Sequence, residues 1–212
     1  TGLLKGCDYL VTNDTGTMHL AAALNTKIIG LFFAHAHPFE TAPFSSGHLI
    51  FQARISCAPC SYGVHCSNIV CVEKVLPEHI LRFVENHIEH NAWQLPSDLV
   101  NLSELNVYET VTSAHGLIRL KPLIRHYLKL EDVFRLAYSV LWRETLAEGT
   151  SSSLKGLKEL LEDYKNSDSI SIGKLLKNKT ELLDKGCLNV RTLEFEVNWM
   201  CRCVCARAPQ RG

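Results

Sequence analysis

Along the first third of the chain, apolar residues fall in short β-prone runs. Tyr9-Leu10-Val11-Thr12 is the first, rich in the residue types that fill strands. Asn13-Asp14 interrupts it, and both residues favour turns because their side chains hydrogen-bond nearby backbone. From Gly16 the pattern changes to helix formers, closing with Ala21-Ala22-Ala23-Leu24. Ile28 to Phe33 predicts a second, buried strand, and Leu49-Ile50-Phe51 a third. Pro77-Glu78 opens a helix, since proline suits the first helical turn, and Ile80, Leu81, Val84 and Ile88 predict its apolar stripe. The opening residues, Thr1 to Asp8, read as the tail of a helix leading into the Tyr9 strand.

The rest of the chain is patterned differently. Residues 91–98 read as a linker, and residues 99–200 as a hairpin plus a helical extension. Val107, Tyr108, Thr110, Val111 and Thr112, then Leu117 and Ile118, predict the hairpin, turning near His115-Gly116. Leu130, Val133, Phe134, Ala137, Val140 and Leu141 form one helical stripe. Leu154, Leu157, Leu160, Leu161 and Tyr164 form a second, and Leu175, Leu176, Leu182 and Leu183 a less regular third. These are packing stripes and carry no chemistry of their own. Residues 201–212 form a tail that fits neither period.

Composition narrows the class. Of 212 residues, 46% are hydrophobic and 21% charged, with a formal net charge of zero, which describes a globular chain. A nucleic-acid binder would carry a basic excess, so that class is disfavoured. No apolar stretch approaches the ~20 residues of a membrane span. The nine cysteines are unevenly spread. Cys57, Cys60, Cys66 and Cys71 fall within fifteen residues, and Cys201, Cys203 and Cys205 sit in the tail. The first group suits a structural zinc site, with His65 as a substitute ligand, although paired-cysteine ribbons have a longer gap between pairs. Free thiols and disulfides are the alternatives, the latter disfavoured in a reducing cytosol.

The candidate chemistry lies where the first strand meets the first long helix. A helix N-terminus has unpaired N–H groups and a partial positive charge, so the turn Asp14-Thr15-Gly16 can hold an anion. Thr15 and Thr17 add hydroxyl donors, and Gly16 permits close approach to the backbone. Asp14 would repel a phosphate placed against it, which makes a helix cap its expected role. His19, one turn in, could donate a hydrogen bond or add charge. The loop Ala34 to Pro43 leaves the carboxyl end of the second strand, so His35 and His37 are candidate sugar or phosphate donors. The carboxyl ends of strands in open α/β sheets are where nucleotides bind.

The string Asn-Asp-Thr-Gly-Thr-Met-His-Leu-Ala-Ala-Ala-Leu at residues 13–24, followed by Asn25-Thr26-Lys27 and the strand Ile28-Ile29-Gly30-Leu31-Phe32, closely resembles the signature of glycosyltransferase family 9. These are the ADP-heptose:lipopolysaccharide heptosyltransferases of bacteria. The resemblance covers roughly residues 1–90. It implies an α/β fold, the C-terminal Rossmann-like domain of a two-domain GT-B enzyme, incomplete at its N-terminus and followed here by a mostly helical extension. It also implies that Asp14, Thr15, Gly16, Thr17 and His19 contact the donor diphosphate. The activity implied is inverting transfer of heptose or a related sugar from ADP-heptose to a lipopolysaccharide core acceptor, with no metal required for the chemistry. The catalytic base of the family is an Asp in the N-terminal domain, so no catalytic residue is assigned here. A doubly wound domain also needs earlier strands beside this one, and the chain reads as the C-terminal piece of a longer protein, inactive by itself. A cytoplasmic location, peripheral to the inner membrane, follows from the same likeness. Relatives carry cysteine clusters as well, which favours a loop staple over a catalytic metal. One departure stands out: Ala34-His35-Ala36 replaces the Gly-Pro-Thr-like segment usual in the family. That departure supports a rival reading, a non-catalytic interaction module on a Rossmann-like scaffold.

Overall fold

The computed structural model describes residues 2–60, 65–99, 102–113 and 118–129, together with residues 132, 133, 135, 136 and 164. The chain divides into two compact units, Thr1–His126 and Tyr127–Gly212.

In the first unit a short helix α1 (Gly2–Lys5) leads into strand β1 (Tyr9–Asn13), helix α2 (Gly16–Ala23) and strand β2 (Lys27–Phe32). A one-turn helix α3 (Pro38–Thr41) precedes strand β3 (Leu49–Ala53), and helices α4 (Val70–Glu73) and α5 (Pro77–His90) follow. Strands β4 (Leu105–Thr112) and β5 (Ile118–Pro122) complete a five-stranded sheet in the order β1-β2-β3-β4-β5. The first three strands run parallel, with Asn13 opposite Leu31 and Phe32 opposite Gln52. The last two are antiparallel: Phe51 faces Val107, and Thr110 faces Leu120. The fold is thus α/β with a mixed sheet.

Strand β3 is buried at every position, as a central strand covered on both faces must be. Successive side chains point to opposite faces. Ile29, Leu49, Phe51 and Val107 turn to the face covered by α5, where Phe83 meets Phe51 edge-to-face at 5.5 Å. The opposite face receives α2 through Met18, which is fully buried. Gly30 makes that fit. A Cβ there would come within 2.9 Å of the Ile50 side chain and 3.2 Å of Phe32.

Three features depart from the pattern read along the chain. The buried face of α5 is built on Phe83 and His87, with Ile80 and Val84 partly buried, while Leu81 and Ile88 are 55% and 67% exposed. The stripe is therefore rotated toward the one aromatic residue, which offers the most area to bury. Residues 91–98 are not a free linker, because Trp93 is buried in the core and its indole N–H donates to the Gly47 carbonyl at 2.9 Å. The hairpin belongs to the sheet: β4 pairs directly with β3, continuing the hydrophobic layer of Leu105 and Val107. Its turn at His115-Gly116 lies outside the described residues.

In the second unit, the backbone N–H groups of Asp132 and Val133 both donate to the Lys129 carbonyl, and Val133 and Tyr164 are buried. The other stripe residues and the tail lie outside the described residues.

Candidate functional site

The parallel strands end together, at Asn13, Phe32 and Ala53, and the loops that leave them share one edge of the sheet. The β1–α2 turn is the tightest of the three. Thr15 adopts the extended conformation of a helix N-cap, yet no side chain caps α2. Asp14 does not play the cap role expected of it. Its carboxylate instead accepts a hydrogen bond from the Thr41 hydroxyl at 2.6 Å, reaching from α2's entrance to the end of α3. The first N–H groups of α2 are thus left for another acceptor, in the geometry that binds anions.

His19 Nε2 lies 3.9 Å from Asp14 Oδ1, an ion pair whenever the imidazole is protonated. Its side chain is about half exposed, so it presents one edge to solvent at the same mouth. Thr12 and Thr15 bring their hydroxyls to 3.5 Å of each other. Gly16 has nothing within 4 Å of where a Cβ would stand, so the space above the turn is open. Thr15, Gly16 and Thr17 are all exposed there. One carboxylate, hydroxyls, an imidazole and a helix terminus meet at this point.

The two loop histidines part company. His35 is exposed, whereas His37 is 4% exposed and turned inward. His37 is the N-cap of α3, its Nδ1 accepting the Phe39 N–H at 3.2 Å, and its ring lies 5.2 Å from that of Phe39. With Nδ1 accepting, the ring's donor is Nε2–H, and at 4% exposure that side chain is turned into the fold and away from the open mouth. Ala34, at the base of the same loop, has a left-handed φ of 55° and accepts the Cys60 N–H at 2.8 Å. The cysteine loop is thereby laid against the loop that follows β2.

Cys57 and Cys66 are exposed, Cys60 is half-buried and Cys71 is buried, all as free thiols. Burial pushes the Cys60 thiol up, and the neighbouring thiols of Cys57, Cys66 and Cys71 push it in the same direction. Among the described residues, no three His, Cys, Asp or Glu side chains stand ready to hold a metal ion.

Residues 1–68 match glycosyltransferase family 9 (heptosyltransferase). The match spans 68 of 212 residues and takes in β1, α2, β2, α3 and β3, the elements that build the mouth just described. It supports glycosyltransferase activity at the level of the family. No curated protein and no solved structure matches the chain. No helix among the described residues is long and apolar enough to cross a membrane.

Sequence reasoning missed Thr41. It is one hydroxyl in a polar loop, 27 residues from Asp14, and nothing in its surroundings separates it from residues that serve solvation.

Proposed function

We propose that the first unit is the donor-binding part of a sugar-nucleotide glycosyltransferase. The finer reading is inverting transfer of heptose, or a related sugar, from ADP-heptose to a lipopolysaccharide core acceptor. The observation that carries it is the uncapped N-terminus of α2, open above Gly16, inside the stretch that matches family 9.

The chemistry follows from charge. As the sugar leaves a nucleoside diphosphate, negative charge grows on the departing phosphate. Fixed dipoles aimed at that charge lower the barrier without reorganising. The N–H groups of Gly16 and Thr17 supply the dipoles, the Thr15 and Thr17 hydroxyls add donors, and the His19 ring adds a further N–H donor at the same mouth. Asp14 works indirectly. Bound to Thr41, it holds the turn against α3, and its pairing with His19 offsets its own repulsion of the phosphate. The resemblance to family 9 implies that this step requires no metal. The base that activates the acceptor hydroxyl comes from outside these residues.

Titration of the chain with ADP by calorimetry tests the reading. Saturable binding, lost in the Asp14→Ala, Thr15→Ala double variant, is the expected result. A folded chain that binds no ADP would mean either that residues outside this chain complete the site or that the second reading, a non-catalytic interaction module, holds; the same titration on the full-length protein separates the two. The specific observation behind that alternative is His37, which caps α3 from inside the fold instead of facing a ligand.

A further inference from the structure

We propose that Cys57 and Cys60 are a reversible thiol–disulfide pair, oxidised by a low-molecular-weight disulfide, whose closure tightens the hold of the loop after β3 on the loop after β2. This inference does not rest on sugar transfer.

Burial does little to hold the loop after β3. Among the described residues between Arg54 and Ile69, only Ala58 is buried. Its tie to the neighbouring loop is a backbone bond, from the Cys60 N–H to the Ala34 carbonyl at 2.8 Å. Ala34 itself holds a left-handed φ of 55°, a conformation that costs a non-glycine residue free energy. Whatever steadies Cys60 therefore also steadies a strained turn beside the candidate site. The Cys60 amide fastens the two loops, and its thiol does the chemistry.

That thiol already faces its partner. It donates to the Cys57 carbonyl at 3.4 Å, across the Cys-Ala-Pro-Cys spacing that redox-active pairs use. Rotation about the side-chain bonds of the two residues exchanges this contact for a sulfur–sulfur bond and leaves the Cys60 amide on Ala34. The other two cysteines of the segment are placed differently: the Cys66 thiol donates to the Asn68 carbonyl at 3.1 Å, and Cys71 is buried on α4.

Exposure sets the order of events. Cys57 is exposed, whereas burial raises the Cys60 thiol above its ordinary range and the nearby thiols push it the same way. The Cys57 thiolate attacks the small disulfide, forming a mixed disulfide and releasing one small thiol. Cys60 then gives its proton to solvent and attacks the Cys57 sulfur, and the second small thiol leaves. The chain loses two electrons and two protons, and the small disulfide takes up both as it becomes two thiols. The ring so closed removes the open conformations of residues 57–60, and the bond between Cys60 and Ala34 breaks less often.

The test uses the full chain, first reduced, then held with glutathione disulfide, alkylated and cleaved after Tyr62, which parts Cys57 and Cys60 from Cys66 and Cys71. Mass spectrometry is expected to show an internal disulfide in the fragment holding Cys57 and Cys60, reversed by dithiothreitol. Cys60→Ser stops with glutathione on Cys57, and Cys66→Ser oxidises as the unaltered chain does. Amide hydrogen exchange is the second readout. The Cys60 N–H exchanges several-fold more slowly in the oxidised chain, and the Cys57→Ser, Cys60→Ser double variant shows no difference between the two treatments. Three results would overturn the proposal: both residues recovered as alkylated thiols or as separate glutathione adducts, a disulfide joining either one to Cys66 or Cys71, or unchanged Cys60 exchange in a chain that carries the bridge. Neither readout uses a nucleotide, so this result and the ADP titration stand or fall separately.

Discussion

The Thr41 hydroxyl donates to the Asp14 carboxylate at 2.6 Å, joining the end of α3 to the turn that opens α2. The bond is exposed, so its contribution to global stability is small. Its effect falls on geometry, because it fixes one wall of the candidate anion site relative to another.

Thr41→Val removes the donor while keeping the shape. If the turn is the diphosphate site, ADP affinity drops about fivefold, the equivalent of about 1 kcal/mol for an exposed hydrogen bond that acts only by positioning the turn. Thr41→Ser restores it. Calorimetry of the three proteins checks this, and equal affinity in all three would remove Thr41 from the site.

His48 makes the fold sensitive to acid. Its Nδ1 accepts the Ile28 N–H at 3.2 Å, and its Nε2 lies 2.6 Å from the Ser45 hydroxyl, inside the sheet at 3% exposure. Burial, and then the charge of Lys27, push it down to about 4 from an ordinary 6.5. The unfolded chain therefore takes up a proton on this residue before the folded one does. Stability is full above pH 6.5 and is lost as pH falls toward 4, by about 3 kcal/mol from this residue. His87 and His79, also pushed down chiefly by burial, act in the same direction, while Glu109, raised by burial, acts against them. Urea midpoints measured at pH 7.5 and pH 5 are expected to differ accordingly. His48→Asn, which keeps an acceptor for Ile28 but cannot titrate, flattens the difference.

Two glycines predict opposite outcomes. Gly30→Ala forces a methyl group against Ile50 and Phe32 beneath Met18, and overpacking of this kind costs about 1–3 kcal/mol. Gly16→Ala meets open space and leaves the thermal midpoint unchanged or slightly raised. It also places a methyl group where the phosphate is expected, so ADP binding weakens without loss of stability. Thermal melts beside ADP titrations separate the two effects.

Local signals in the chain carried much of the fold. Tyr9 to Thr12, the helix from Gly16, the strand from Ile28 and the helix from Pro77 all form where period, turn residues and helix-end chemistry indicated. What could not be read were relationships set by distance. The hairpin's place beside β3 depends on Phe51 meeting Val107 across 56 positions, and no local pattern encodes it. Trp93 looked like part of a polar linker because its neighbours are polar, yet its ring lies 4.0 Å from that of His87. The same holds at the candidate site. The anion-binding turn was visible as a string of residues, whereas the Thr41 partner of Asp14 and the inward turn of His37 came only with the folded chain.

The bond between the Cys60 amide and the Ala34 carbonyl has a consequence for how such a protein can vary. Each loop leaves a different strand, and one backbone bond sets the height at which they meet. Inserting residues before Ala34 or before Cys60 would slide one partner past the other. These two loops are therefore not independent sites for insertion or deletion, and a change of length in one calls for a matching change in the other.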